Sequence, residues 1–143
     1  MGKKTIFSVA LFLFTLGCLS QTELVVGTYF KKMGNEKHNI EYTLKLNSDQ
    51  TFSFHSYSNN VSGLPQIVNK YGKGTWTIKD KIITLSTDQM DDYDDKNTLD
   101  FTNSKARFIS KSPRDKSDRE IPNSLQFYES DIFWIKSLQI TKK

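Results

Sequence analysis

From about Leu24 onward, apolar side chains recur at every second position in short runs broken by polar turns, and almost nothing repeats at helical spacing. A period of two puts alternate residues on opposite faces of an extended strand, so the pattern commits the chain to antiparallel sheet. Leu24 to Phe30 opens the series through Gly27-Thr28-Tyr29. Ile40, Tyr42, Leu44 and Leu46 then share one face, Asn47-Ser48-Asp49-Gln50 turns the chain, and Thr51 to Tyr57 returns with Phe52 and Phe54 inward. A loop is expected over Asn59 to Asn69, where Gly63 and Pro65 disfavour a strand interior. Tyr71 to Lys79 follows, with Trp76 and Ile78 on the buried side and Gly72 and Gly74 beside them, where a missing side chain permits close approach. Lys79-Asp80-Lys81 turns into Ile82 to Ser86. After an acidic loop, Leu99 and Phe101 mark a strand, Ala106 and Phe108 its partner, Ser112 to Pro122 a charged loop, and Leu125 with Phe127, then Ile132 to Ile140, the last two strands. Around Ile132-Phe133-Trp134-Ile135 both faces are apolar, which calls for a strand covered on both sides or bulged.

Eight to ten strands joined as sequential hairpins curl and close, because closure removes exposed edges. The expected fold is therefore all-β: an antiparallel meander closing into a small barrel, with a two-sheet sandwich as the fallback. Aromatic residues make up 13% of the chain, which favours packed sheet over disorder.

The first twenty residues are of another kind. Lys3 and Lys4 precede an uncharged apolar run from Ile6 to Leu16, and the small residues Gly17, Cys18 and Ser20 follow. This reads as a signal peptide over residues 1–20, leaving residues 21–143 as one extracytoplasmic domain. The run falls well short of the ~20 residues that cross a bilayer. Two cuts compete. An ordinary signal peptidase would leave Gln21 at the new N-terminus, whereas a lipobox reading would lipidate Cys18 and tether the chain. Thr15 and Leu16 stand where a lipobox usually carries a branched aliphatic and a small residue.

Cys18 is the only cysteine, so a disulfide framework, a cysteine nucleophile and a thiolate metal site are excluded for a monomer. The formal charge of +4 falls to about +2 once Lys3 and Lys4 leave with the leader. That near-neutral balance lacks the concentrated basic face nucleic-acid binding needs.

Gly27-Thr28-Tyr29, the run from Leu44 to Phe52, Gly74-Thr75-Trp76-Thr77-Ile78 and Ile82-Ile83-Thr84-Leu85 together resemble the lipocalin-like domains of small exported bacterial proteins of the Bacteroidota type. The resemblance spans about residues 23 to 87 and implies a small meandering barrel without enzymatic activity. True lipocalins carry Gly-x-Trp where this chain has Gly27-Thr28-Tyr29. Similar envelope lipoproteins implicated in copper stress carry a Cys-x-x-Cys near the N-terminus that is absent here, so no metal-relay role is carried over.

Six inward aromatics, Phe52, Phe54, Trp76, Phe101, Phe108 and Phe127, are the candidate lining of a ligand cavity; the competing expectation is that they fill the interior themselves. Asp88, Asp91, Asp92, Asp94 and Asp95 crowd one loop without EF-hand spacing, so a solvated acidic loop is expected and no metal. Lys105, Arg107, Lys111, Arg114, Lys116 and Arg119 are interleaved with acids, as in a solvated loop that leans on the acidic one. His38 and His55 lack a placed carboxylate or nucleophile, so no catalytic residue and no cofactor are expected. Tyr57, Tyr71 and Tyr128 face outward. The expected function is an exported, non-enzymatic binding protein for a small apolar molecule held in the barrel mouth. Its alternative is an inhibitor or assembly factor acting through its loops on another envelope protein, with membrane contact only through a lipid on Cys18.

Overall fold

Two turns set the register of half the molecule. At the first, the Asp49 carboxylate accepts hydrogen bonds from the Thr51 amide at 3.0 Å and its hydroxyl at 2.6 Å, and Gln50 takes a left-handed φ of 67°. This closes the hairpin between β2 (His38–Leu46) and β3 (Thr51–Asn60). At the second, Asp80 and Lys81 both have positive φ, 52° and 65°, the paired left-handed geometry whose twist matches a two-residue hairpin. It joins β4 (Ile67–Lys79) to β5 (Ile82–Ser86).

The computed structural model describes residues 22–143; the leader and the Cys18 readings lie outside the described residues. Its remaining strands are β1 (Gly27–Gly34), β6 (Ser104–Ile109), β7 (Ser124–Glu129) and β8 (Gln139–Lys142). Every neighbouring pair is antiparallel in chain order, and β8 returns to β1 through Tyr29↔Lys142 and Phe30↔Thr141, which closes the barrel. The expected meander is thus the observed one, and the sandwich is not formed.

Inward residues of successive strands meet on the axis: Leu44, Leu46, Phe52, Phe54, Trp76, Ile83, Leu85, Phe108, Leu125, Phe127 and Ile140 are all buried. Three expected strands are wholly or partly something else: the first is strand only from Gly27 onward, the last only from Gln139, and the one at Leu99 and Phe101 not at all. Residues 22–25 form one helical turn whose Val25 plugs the barrel. Leu99 and Phe101 lie in a loop: the Thr98 and Leu99 amides both donate to the Tyr71 carbonyl, and Phe101 folds inward over Gly72, so closely that a Cβ on that glycine would lie 2.6 Å from the ring. Residues 131–138 form turns, with Ile135 N–H donating to Ile132 O and Leu138 N–H to Ile135 O, so Ile135 and Leu138 enter the core from a turn while Phe133 stays 87% exposed. Apolar residues on both apparent faces reflect that winding.

The Asn59–Asn69 loop is also shorter than expected. β3 runs to Asn60 and β4 starts at Ile67, so the two strands continue past the closed barrel. Along residues 67–70, β4 pairs with β3 alone.

Tyr29 ties the helical turn to the barrel. Its hydroxyl donates to the Val25 carbonyl at 2.6 Å in a buried setting, and burial pushes the phenol far above its ordinary pKa of 10.0. An acid whose folded pKa is raised binds its proton more tightly when native, so its contribution is complete below the unfolded value and is lost as pH rises beyond it. Thermal melts between pH 8 and 11.5 should therefore stay level to about pH 9 and fall steeply beyond about pH 10. Tyr29→Phe should be less stable by about 1 kcal/mol at pH 8 and flatter above pH 10; an unchanged alkaline slope would assign the loss elsewhere.

Candidate functional site

The strand overhang carries the inward alternation beyond the filled core. There β2 offers Ile40 and Tyr42, β3 Ser56 and Ser58, and β4 Val68 and Lys70, all of the same parity as the core residues further along each strand. With Trp134, delivered by the turn after β7, they line a cleft of about 350 Å³ at the barrel mouth. Its aromatic wall is a stack. The Tyr42 ring lies 5.7 Å from Trp134 at 16° and 6.2 Å from Phe54 at 26°, and Phe54 is 6.0 Å from Trp134. The Lys70 ammonium sits 5.7 Å from the centroid of the Trp134 ring, within cation–π range.

Polar groups in the cleft are left open. Among the described residues the side chains of Tyr42, Ser56 and Ser58 have no hydrogen-bond partner, and Lys70 forms no ion pair. Ser56 is only 8% exposed. Burial raises the Tyr42 phenol above its ordinary value, so it is a neutral donor near pH 7.

The six aromatics singled out from sequence lie deeper. Phe52, Phe54, Trp76, Phe101, Phe108 and Phe127 are between 0% and 4% exposed. They pack on one another and on the barrel wall: Phe101 meets Phe52 edge-on at 5.4 Å and Phe54 at 4.9 Å. None of the six lines the mouth cleft, and Phe54 reaches it only as backing for Tyr42 and Trp134. Sequence reasoning missed Tyr42, Ser56, Ser58, Lys70 and Trp134 as a group. The available signal was the inward parity of two serines and a lysine, polar residues where the alternation demands apolar ones.

The other candidates are engaged locally. His55 stacks flat on Tyr71 at 4.4 Å and shares a 2.8 Å hydrogen bond with Asn69 Oδ1, beside a recess of about 270 Å³ that Lys96 and Asn97 also line. His38 pairs with Asn60, well along the ladder from His55, so the two histidines are not brought together. The acidic loop bonds its own backbone. Asp94 accepts the amides of Asn97 at 2.6 Å and Lys96 at 2.8 Å, and the Asn97 amide above all holds its carboxyl at about 2. The cation on this loop is Lys73, 3.6 Å from Asp94, not a member of the basic stretch. Within that stretch Lys105 pairs with Glu129 and Arg119 with Asp115. Among the described residues no three acidic, histidine or cysteine groups converge as metal ligands, and no helix is long and apolar enough to cross a membrane.

A family model, the NlpE N-terminal domain, matches residues 35–112, more than half of the chain and all of β2 to β6. The chain belongs to this family. NlpE N-terminal domains are β-barrels of envelope lipoproteins, and the closed eight-strand meander is compatible with the lipocalin-like barrel expected from sequence. Among curated proteins and solved structures, nothing matches. Six of the seven cleft-lining residues fall inside the NlpE match, and Trp134 lies beyond it.

Proposed function

We propose that this NlpE-family barrel is a non-enzymatic binding protein working outside the cytoplasm, of the exported lipocalin-like kind, which holds a small apolar molecule at its mouth. The observation that carries the reading is the Tyr42–Trp134 stack, which walls a cleft also lined by Ile40 and Val68 where the filled interior ends. Ligand sites of this kind are concave and mostly apolar, with a few polar groups that fix orientation. Cleavage before Gln21 and lipidation of Cys18 would both place the barrel on the far side of the membrane, the second with a tether.

Titration with 1-dodecanol, kept below its solubility limit, is the test. Trp134 fluorescence should shift saturably, and Trp134→Phe should abolish the shift while leaving the Trp76 emission in place. No response in the parent protein, or an equal response in the variant, would remove the cleft as the site.

A second reading has its own observation. Leu64 is fully exposed at the tip between β3 and β4, with Val61 and Ile67 about half exposed beside it in the chain. An exposed apolar tip next to strand residues paired on one side only suits contact with another envelope protein.

A further inference from the structure

We propose that the molecule held in the mouth cleft is a single-chain amphiphile with an anionic head, and that Lys70, Ser56 and Ser58 receive that head. The proposal rests on the cleft being a ligand site at all and specifies what the site selects. Three observations support it.

Lys70 is an exposed cation at the cleft that forms no ion pair among the described residues. Its ammonium is instead held over Trp134, at the border of the apolar wall. The Ser56 hydroxyl belongs to a residue more than nine-tenths buried, lines the cleft, and has no partner among the described residues. Ser56 Oγ is not sealed in, since the buried side-chain atom without a partner among the described residues is Asn39 Oδ1; the hydroxyl opens on the cleft, where it can donate to a ligand's acceptor. Finally, the polar groups are neighbours. Lys70, Ser56 and Ser58 come from β3 and β4, with Ser56 directly opposite Lys70 in register and Ser58 opposite Val68, whereas Ile40, Tyr42 and Trp134 supply the rest.

An ammonium and two hydroxyls offer donors and a positive charge, which suits a carboxylate or a phosphate monoester and disfavours a quaternary amine. The volume, about 350 Å³, lies at the small end of the range of about 300–1,000 Å³ for ligand pockets, so one acyl chain suits it better than a two-chain lipid.

Affinities for dodecanoate, 1-dodecanol and dodecyltrimethylammonium, all below their micellar concentrations, would test this on the full barrel. Dodecanoate should bind about tenfold more tightly than 1-dodecanol, as expected for one charge-assisted hydrogen bond, and the ammonium compound most weakly. Lys70→Ala should reduce dodecanoate to the affinity of the alcohol and leave the alcohol unchanged. Ser56→Ala should weaken dodecanoate about threefold without lowering the melting temperature, since it removes an unbonded hydroxyl. Added salt should weaken only the anion. Equal binding of acid and alcohol, or unchanged dodecanoate affinity in both variants, overturns the head-group assignment while the apolar cleft stands. Failure of all three compounds overturns both. Sedimentation with phosphatidylglycerol vesicles in the absence of any dodecanoate response would place Lys70 on a membrane surface and equally overturn the proposal.

Discussion

Trp76→Ala is expected to lower the unfolding free energy by about 3–5 kcal/mol, a large share of the ~5–15 kcal/mol that holds a domain of this size together. The indole is 1% exposed, and its Nε1–H donates to the Asn47 carbonyl at 3.0 Å. It therefore fills the barrel and also fastens the β2–β3 turn to β4, which the Trp76 amide repeats by donating to Gln50 O at 2.8 Å. Trp76→Phe separates the two roles. It keeps most of the buried surface and loses the indole bond, so about 1–2 kcal/mol should go. Urea midpoints should fall in that order with unchanged slopes. Equal losses in the two variants would assign the stabilisation to the hydrogen bond alone.

Gly74→Ala should be among the most damaging single methyls in the barrel wall. A Cβ there runs into the carbonyl oxygen of Ser86 and comes within 2.9 Å of Phe52 Cε1. Ser86 faces Thr75 in the β4–β5 ladder, so relief requires two backbones to part, and a loss of about 3 kcal/mol or more is expected. Gly72→Ala is the comparison. Its Cβ meets the edge of the Phe101 ring at 2.6 Å, and Phe101 belongs to a loop that can shift, so the cost should be smaller. Guanidinium melts of the two variants would show the difference; equal losses would mean that the β4–β5 backbone yields as readily as the loop.

The strands from Ile40 to Ser86 are legible in the sequence because each buries one face and wets the other, and their turns carry Asn and Asp that accept turn dihedrals. The same rule misleads where an apolar residue is delivered to the core by something other than a strand. Phe101 fills the space above Gly72 from a loop, and Ile135 and Leu138 do so from turns; a pattern of burial does not record which backbone conformation carries the residue. At Leu24 and Val25 the apolar run belongs to a helical turn too short to show a 3.6-residue period.

The cleft is harder to read for a different reason. Large rings draw attention as ligand walls, yet rings pointing at a narrow axis fill it, as Phe52, Phe54 and Phe101 do. What marks the opening is the failure of the core: Ser56, Ser58 and Lys70 occupy inward positions that a packed interior would give to Leu or Phe. Trp134 has no such signature. It reaches the site from the far end of the chain, and only the closed topology brings it opposite Tyr42.

That last arrangement makes the pocket a latecomer in assembly. Its floor can exist as soon as three consecutive strands have paired, but its facing wall arrives only when the final third of the polypeptide has wound round to meet them. A fragment ending near Ser112 would keep the whole family segment and still present half a cup. Occupancy would then report that the cylinder has shut, and any bound molecule would act as a clasp between its first and last halves.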